Sequence, residues 1–261
     1  MNLSLEGKQA LVGGSTQGIG LAIAKELALL GATCTLLARN EEKLKTAAAS
    51  LSTEKGQRHH WLVADFSRPE ELQQVVTAWI RNNTCHILVN NTGGPEPGPI
   101  TKAAPGQFVD AFRQHIVVNQ LLVQALLPGM QAAHYGRIVN VVSTSVKMPL
   151  PNLGVSNTIR SAVAGWAKTL SNEVAAQGIT VNNILPGFIS TARLDALTAA
   201  NAAAAGISVA EQTGKMADSV PAGRIGTVEE VAAVAAFLCS PAAAYVNGES
   251  IRVDGGRTGS I

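Results

Sequence analysis

Cysteine, charge and aromatic side chains are all scarce in this 261-residue chain. The three cysteines (Cys34, Cys85, Cys239) are scattered, with no C-x-x-C pair and no Cys/His cluster. That excludes a disulfide framework and a zinc site, and each thiol falls in or beside an apolar segment where it would act as a small core residue. A reduced, metal-free, cytoplasmic protein is expected. Charged residues make up 15% of the chain and nearly balance at +2, with no basic stripe, which excludes the electrostatic footprint of a nucleic-acid binder. No uninterrupted apolar run approaches membrane-spanning length, and Met1–Glu6 carries no apolar signal core, so no membrane attachment is expected. Aromatics amount to 4%, and there are two tyrosines, Tyr135 and Tyr245. With no low-complexity run or Pro/Ser linker either, one domain spanning residues 1–261 is the expectation.

What the chain does have is a glycine-rich turn and regular β-α alternation. Lys8 to Gly20 reads Lys-Gln-Ala-Leu-Val-Gly-Gly-Ser-Thr-Gln-Gly-Ile-Gly, an apolar strand entering a glycine cluster, and an amphipathic stretch from Ile19 to Leu30 follows. Strand, turn and helix in that order are the context of a nucleotide site. Gly14 allows the sharp turn, Gly18 the close approach of a pyrophosphate, and Gly20 the packing of helix on strand. Further strands are expected at Thr33–Ala38, Trp61–Val63, Ile87–Val89, Arg137–Val142, Thr180–Leu185 and Ser250–Val253. Helices are expected at Glu41–Leu51, Pro69–Arg81, Phe108–Ala133, Ser156–Ala176 and Val228–Leu238. Strands that are apolar nearly throughout predict burial on both faces. The alternation predicts an α/β, Rossmann-type doubly wound parallel sheet, with its ligand crevice at the carboxyl ends of the strands.

Those carboxyl ends carry the candidate binding residues. The second strand ends in Ala38-Arg39-Asn40 with no acidic residue, and an arginine there suits the 2′-phosphate of NADP(H). Ser15 and Thr16 offer hydroxyl donors to the same phosphate. Asp65, followed by Phe66, either accepts from the adenine amino group or caps the next helix, for which Ser67 is a further capping candidate. The fourth strand runs into Asn91-Thr92-Gly93-Gly94 and then Pro95, Pro97 and Pro99, which predicts a shaped loop beside the nicotinamide ribose.

These stretches, with Gly136 to Asn140 leading to Ser143, Pro186-Gly187 and the ending through Val253-Asp254-Gly255-Gly256, resemble the short-chain dehydrogenase/reductase family. The glycine turn is similar to its T-G-x-x-x-G-x-G signature, with Gly13 in place of threonine, and Asn90 to Gly93 is similar to its N-N-A-G. The likeness covers the whole chain and is nearest to ketoacyl-carrier-protein-reductase-like and sugar-dehydrogenase-like members. It implies a seven-stranded parallel sheet, a nicotinamide cofactor, and a homotetramer built on paired long helices, with Ala162, Ala164, Gly165 and Ala167 allowing close approach. Ile19, Pro186, Gly187 and Ile189 join the implied cofactor contacts. Residues 188–221, rich in alanine, fall where the family places its substrate lid.

The likeness fails where the chemistry is done. The family's tyrosine lies thirteen residues after the strand-five serine, and from Ser143 that count lands on Ser156, with Arg160 in the lysine position. His115 stands where the family carries an active-site asparagine, while Asn119 is a helix-face polar residue. Reduction of a ketone needs a proton for the developing alkoxide. Ser156 is a weak acid, Arg160 keeps its proton, Tyr135 lies at the wrong end of its strand, and Tyr245 reads as packing. His115 is either structural or, with a reference pKa of about 6.5, a proton donor. Lys147 is a second candidate proton source, or a solvated loop residue. Arg193, at the start of the lid, could hold an acidic substrate group or pair on the surface. Two functions remain open. One is an NADP(H)-dependent oxidoreductase acting on a small carbonyl or alcohol through a non-standard site. The other is a catalytically inactive NADP(H)-binding protein serving as sensor or assembly partner.

Overall fold

Seven strands with apolar, partly β-branched cores pair side by side wherever a helix returns the chain to the same edge of the growing sheet. The computed structural model describes residues 1–260. The strands are β1 (Gln9–Gly13), β2 (Thr33–Ala38), β3 (His60–Val63), β4 (Ile87–Asn90), β5 (Gly136–Val141), β6 (Ile179–Pro186) and β7 (Ser250–Val253). They form one parallel sheet in the order β3-β2-β1-β4-β5-β6-β7. The order reverses between β1 and β4, so the crevice for a ligand opens there.

Helices cover both faces. They are α1 (Gly18–Leu29), α2 (Glu41–Ala49), α3 (Pro69–Ile80), α4 (Pro105–Phe112), α5 (Val118–Ala132), α6 (Gly154–Val174), α7 (Ala192–Ala205), α8 (Val209–Asp218) and α9 (Val228–Cys239). Ile23 and Leu27 of α1, Leu44 of α2 and Val231 and Ala235 of α9 pack on one face. Leu72 and Val76 of α3, Leu122 and Leu126 of α5 and Leu170 and Val174 of α6 pack on the other. Each fully buried Leu or Ile contributes about 1.5–3 kcal/mol relative to exposure, so the two clusters drive the fold. All three cysteines are free and buried, and burial pushes the Cys85 and Cys239 thiols up to about 12.

Several local expectations need correction. β3 is not buried on both faces: Trp61 and Val63 are 38% and 43% exposed, because this edge strand has β2 as its one neighbour. The helix expected over Phe108–Ala133 is broken by a π turn at Arg113–Val117, between α4 and α5. α3 begins at Pro69 with Arg68 at its cap, and Ser67 caps nothing. Tyr245 is fully exposed rather than packed. Ala167 faces the core, whereas Gly165 is exposed and has open space around it. The alanine-rich segment is a helical hairpin, α7 and α8, joined through Gly206 in the left-handed region (φ 66°) and closed around Thr198, Ala202 and Met216.

Candidate active site

The glycine turn sits at the centre of the sheet's carboxyl edge, and its neighbours leave it one conformation. Gly14 has φ 56° and Gly18 φ 57°, values that side-chain-bearing residues rarely adopt. A Cβ on Gly14 would lie 2.7 Å from Asn91 Nδ2, and one on Gly20 would overlap the Gly14 carbonyl. Asn91 Nδ2 donates to the carbonyls of both Gly13 and Gly14 at 3.2 Å, so this side chain is a strut beneath the turn. Around Gly18 the picture inverts. A Cβ there would meet one atom within 4 Å, the Thr191 methyl at 3.6 Å. No side chain caps the start of α1, in contrast to α2, α7, α8 and α9, capped by Asn40, Thr191, Ser208 and Thr227. Open space over uncapped helical amides, at the positive end of a helix dipole, fits a pyrophosphate. Thr16 and Ile19 are partly exposed on the same turn.

Beyond the end of β2 lies the adenosine side. Arg39 is exposed, and its charge acts on Asp65 across the gap between β2 and β3. Burial raises the Asp65 pKa, but hydrogen bonds from Ser67 and the Arg39 and Arg68 charges outweigh it, so the carboxyl is held below the usual range. Its Oδ1 accepts from the Ser67 amide at 2.8 Å, which makes Asp65 the local turn-former. Ser15 does not face this side. It is fully buried, and its Oγ accepts from the Leu37 amide at 3.1 Å, tying the turn to β2. Asn40 is spent on capping α2, where it accepts from the Lys43 amide at 2.9 Å. Phe66 packs against the back of Gly13, 3.0 Å from where a Cβ would stand.

The other half of the crevice collects positive charge. Ser143 follows β5, and its Oγ accepts from the Ser145 amide at 3.1 Å. Two residues before it, the Val141 carbonyl accepts from Arg160 Nη1 at 3.0 Å, which pins α6 to the end of β5. Arg160 is 9% exposed, and burial together with the Arg193 charge pulls its pKa down to about 10. Arg193, in the first turn of α7, reaches across the crevice to donate to the carbonyls of Gly94 at 3.0 Å and Pro95 at 2.9 Å. A methyl group on Gly94 would stand 2.9 Å from Arg193 Nη2 and 3.3 Å from Arg160 Nη2. His115 lies beneath them on the π turn, 2% exposed, with no partner for Nε2. Burial, then Arg160 and Arg193, depress its pKa to about 2 against a raising hydrogen bond to the Gly93 backbone. It is therefore a neutral imidazole at physiological pH, with one N–H, rather than the imidazolium that its reference value of about 6.5 would allow in part. Ser156, 8% exposed, opens α6 one turn before Arg160.

The chain matches the family model described as enoyl-(acyl carrier protein) reductase over residues 14–258. It is 34% identical over 256 residues to the 3-oxoacyl-[acyl-carrier-protein] reductase FabG of Haemophilus influenzae, across 97% of this chain and 98% of that protein. This chain is a short-chain dehydrogenase/reductase. The structure of L-sorbose reductase from Gluconobacter frateurii, complexed with NADPH and L-sorbose, superposes with a TM-score of 0.93 at 32% identity over the whole of both chains. A gluconate 5-dehydrogenase from Burkholderia cenocepacia, in complex with NADP and tartrate, gives 0.88 at 30% identity over 100% of this chain and 98% of that one.

Within this short-chain dehydrogenase/reductase, the expected residues divide into three groups. Gly14, Gly18, Gly20, Asn91 and Thr92 gather at the turn, with Arg39 and Asp65 at the adenosine side. Arg160, His115 and Gly93 meet at the far side, and Ser143 follows two residues after Val141, whose carbonyl anchors Arg160. Pro186 and Gly187, both half-buried, and Ile189, buried, form the third group, at the end of β6 and just beyond it. Gly187 is needed because a Cβ would stand 2.7 Å from that of Asp254, and Ile189 is buried against Gly226. Lys147 is exposed on the loop after Ser143. Tyr135 lies at the opposite end of β5, where its hydroxyl donates to the Cys239 carbonyl at 2.7 Å. His59 and His86 accept from the Cys34 and Gln9 amides at 3.1 Å, structural duties away from the crevice. Two features went unread in the sequence. Thr191, whose methyl roofs Gly18, was recoverable from the Thr-Ala-Arg-Leu helix start. The other is an amide ladder across four strands in register: Asn90 donates to Asn140 at 2.8 Å, Asn140 to Asn183 at 2.9 Å, and Asn183 to Ser250 at 3.1 Å.

Proposed function

We propose that this protein is an NADP(H)-dependent oxidoreductase that reduces a small carbonyl compound, or oxidises the matching alcohol, at a non-standard site. The observation that carries the reading is the space over Gly18, rigidly framed by Asn91 and Gly14 yet open above uncapped amides. Gly14, Thr16, Gly18, Ile19 and Gly20 hold the pyrophosphate, and Arg39 takes the 2′-phosphate with its donor fork. Asp65 serves the adenine, and Thr92 and Gly93 flank the nicotinamide ribose. When bound, the reduced cofactor supplies a hydride to the carbonyl carbon.

The chain's own residues then act on the oxygen. Ser143 donates a hydrogen bond to it and fixes its direction. Arg160 stands over the ribose and stabilises the negative charge that develops, and the buried setting strengthens that effect. Because His115 is neutral and Ser156 is an aliphatic alcohol, the proton comes from water. The helical hairpin α7–α8 closes the crevice through the Arg193 contacts to Gly94 and Pro95. The inactive cofactor-binding alternative draws on one observation, that the Ser156 hydroxyl is too weak an acid and the buried His115 imidazole is neutral, so neither supplies the proton readily. We also assign a homotetramer through α4, α5 and α6, whose outer face leaves Val109 (58%) and Phe112 (45%) exposed.

Calorimetric titration with NADPH and NADH, followed by NADPH consumption across a panel of neutral ketones and oxo acids, tests the reading. Tighter NADPH binding with turnover on some panel member supports it. Failure to bind either nucleotide refutes it, and tight binding without turnover selects the inactive alternative.

A further inference from the structure

Two cations, Arg160 and Arg193, converge in the crevice without a carboxylate partner. None of the seven ion pairs among the described residues includes Arg160 or Arg193, and all seven lie on exposed surface elsewhere. Their Nη2 atoms flank Gly94 closely enough to be within about 6 Å of one another, a distance at which like charges repel appreciably. No carboxylate offsets that repulsion. Arg160 is the buried one of the pair, and burying a guanidinium without an anionic partner is costly, a cost that an anionic ligand would offset. Arg160 makes one hydrogen bond, to Val141, and Arg193 two, to Gly94 and Pro95, so several N–H donors of each fork remain.

A second, independent feature faces the same place. His115 Nε2 is buried without a partner although the ring is 2% exposed. In the neutral tautomer that carries its proton on Nδ1, toward the Gly93 backbone, Nε2 is an acceptor. An acceptor beside two cations is matched by a hydroxyl group next to a carboxylate. Gly93 and Gly94 present no side chain here, and a Cβ on Gly93 would meet nothing within 4 Å, so the floor of the site is open.

We infer that Arg160, Arg193 and His115 form a subsite for a small hydroxy or oxo acid. The two guanidiniums take the carboxylate, and His115 Nε2 accepts from the neighbouring hydroxyl. The substrate class is thereby an anionic polyol or oxo acid rather than a neutral ketone. Arg193 rides on the lid, so ligand binding and lid closure are one event, with the carboxylate joining α7 to α6. The inference rests on the oxidoreductase reading for what happens to the bound acid, but the binding itself does not depend on turnover.

The test uses the intact protein, with and without saturating NADP⁺, titrated by calorimetry with D- and L-tartrate, threitol, succinate and inorganic phosphate. Threitol keeps the tartrate skeleton and hydroxyls without the charge, and succinate keeps the charge without the hydroxyls. Tartrate should bind at least about tenfold more tightly than either. Arg193→Gln, at an exposed position that should not disturb folding, should cost tartrate at least about tenfold and leave NADPH affinity within about twofold. Equal affinity for tartrate and threitol overturns the proposal, and so does phosphate binding about tenfold tighter than tartrate. Loss of NADPH affinity matching the loss of tartrate affinity in Arg193→Gln also overturns it, by assigning the arginine to the cofactor's phosphates. Tartrate binding without NADPH consumption on any hydroxy or oxo acid leaves the subsite standing and refutes only the oxidoreductase reading.

Discussion

At the scale of single residues, the environment of a side chain decides its chemistry more than its type does. His115 has the right reference pKa for proton transfer, yet burial and two guanidiniums push it down to about 2. The sign of the resulting pH dependence follows from linkage. Between about 2 and the unfolded value near 6.5, the unfolded chain binds a proton that the native site refuses, so stability falls as pH drops through that window. His115 alone should cost about 2 kcal/mol of stability by pH 5, at about 1.4 kcal/mol per pH unit. His115→Gln should remove that slope, read as a smaller difference between denaturant midpoints at pH 7 and pH 5. Identical slopes in both proteins would contradict the assignment. We propose that Arg39 carries the cofactor preference, since its fork has no ion pair or side-chain hydrogen bond among the described residues. Arg39→Ala should weaken NADPH by about tenfold or more and NADH by less than about twofold, in titrations at one salt concentration.

At the scale of elements, the ends of the strands do the organising. The ladder from Asn90 through Asn140 and Asn183 to Ser250 joins four neighbouring strands just below the crevice. Asn140→Ala would orphan a donor on Asn90 and an acceptor on Asn183, both buried. The expected cost is about 2–4 kcal/mol in chemical denaturation, since each unsatisfied buried group costs about 1–3 kcal/mol. A loss under about 0.5 kcal/mol would mean that the amides are solvated in the native state. The strands and the glycine turn were legible in the sequence because apolar runs and glycines act locally. Asn91 as a strut and the amide ladder were not, since both depend on the register of strands more than forty residues apart. The π turn escaped because Arg113 to Val117 has an ordinary helical pattern, and His115 is its one buried residue. Ser15 was misread because a hydroxyl in a phosphate loop looks like a ligand until Leu37 is seen to donate to it.

At the scale of the whole molecule, one sheet gathers the glycine turn and a cationic pocket at its carboxyl edge, where the strand order reverses. The replaced tyrosine and lysine were visible from counting alone, but the convergence of Arg193 on Gly94 required the lid to be folded over the sheet. The exposed apolar faces of α4 and the small outer residues of α6 predict assembly. Light scattering should report four times the chain mass at working concentration, and a monomer throughout would contradict the proposed interface. The proposed reaction is hydride transfer between NADP(H) and a small acid in this crevice. The most direct measurement is mass spectrometry of products after incubation with NADPH deuterated at the nicotinamide C4 and a series of oxo acids. The account predicts deuterium on the carbinol carbon of a hydroxy acid, in step with NADPH consumed; bound but unconsumed NADPH, with no deuterium in any product, would contradict it.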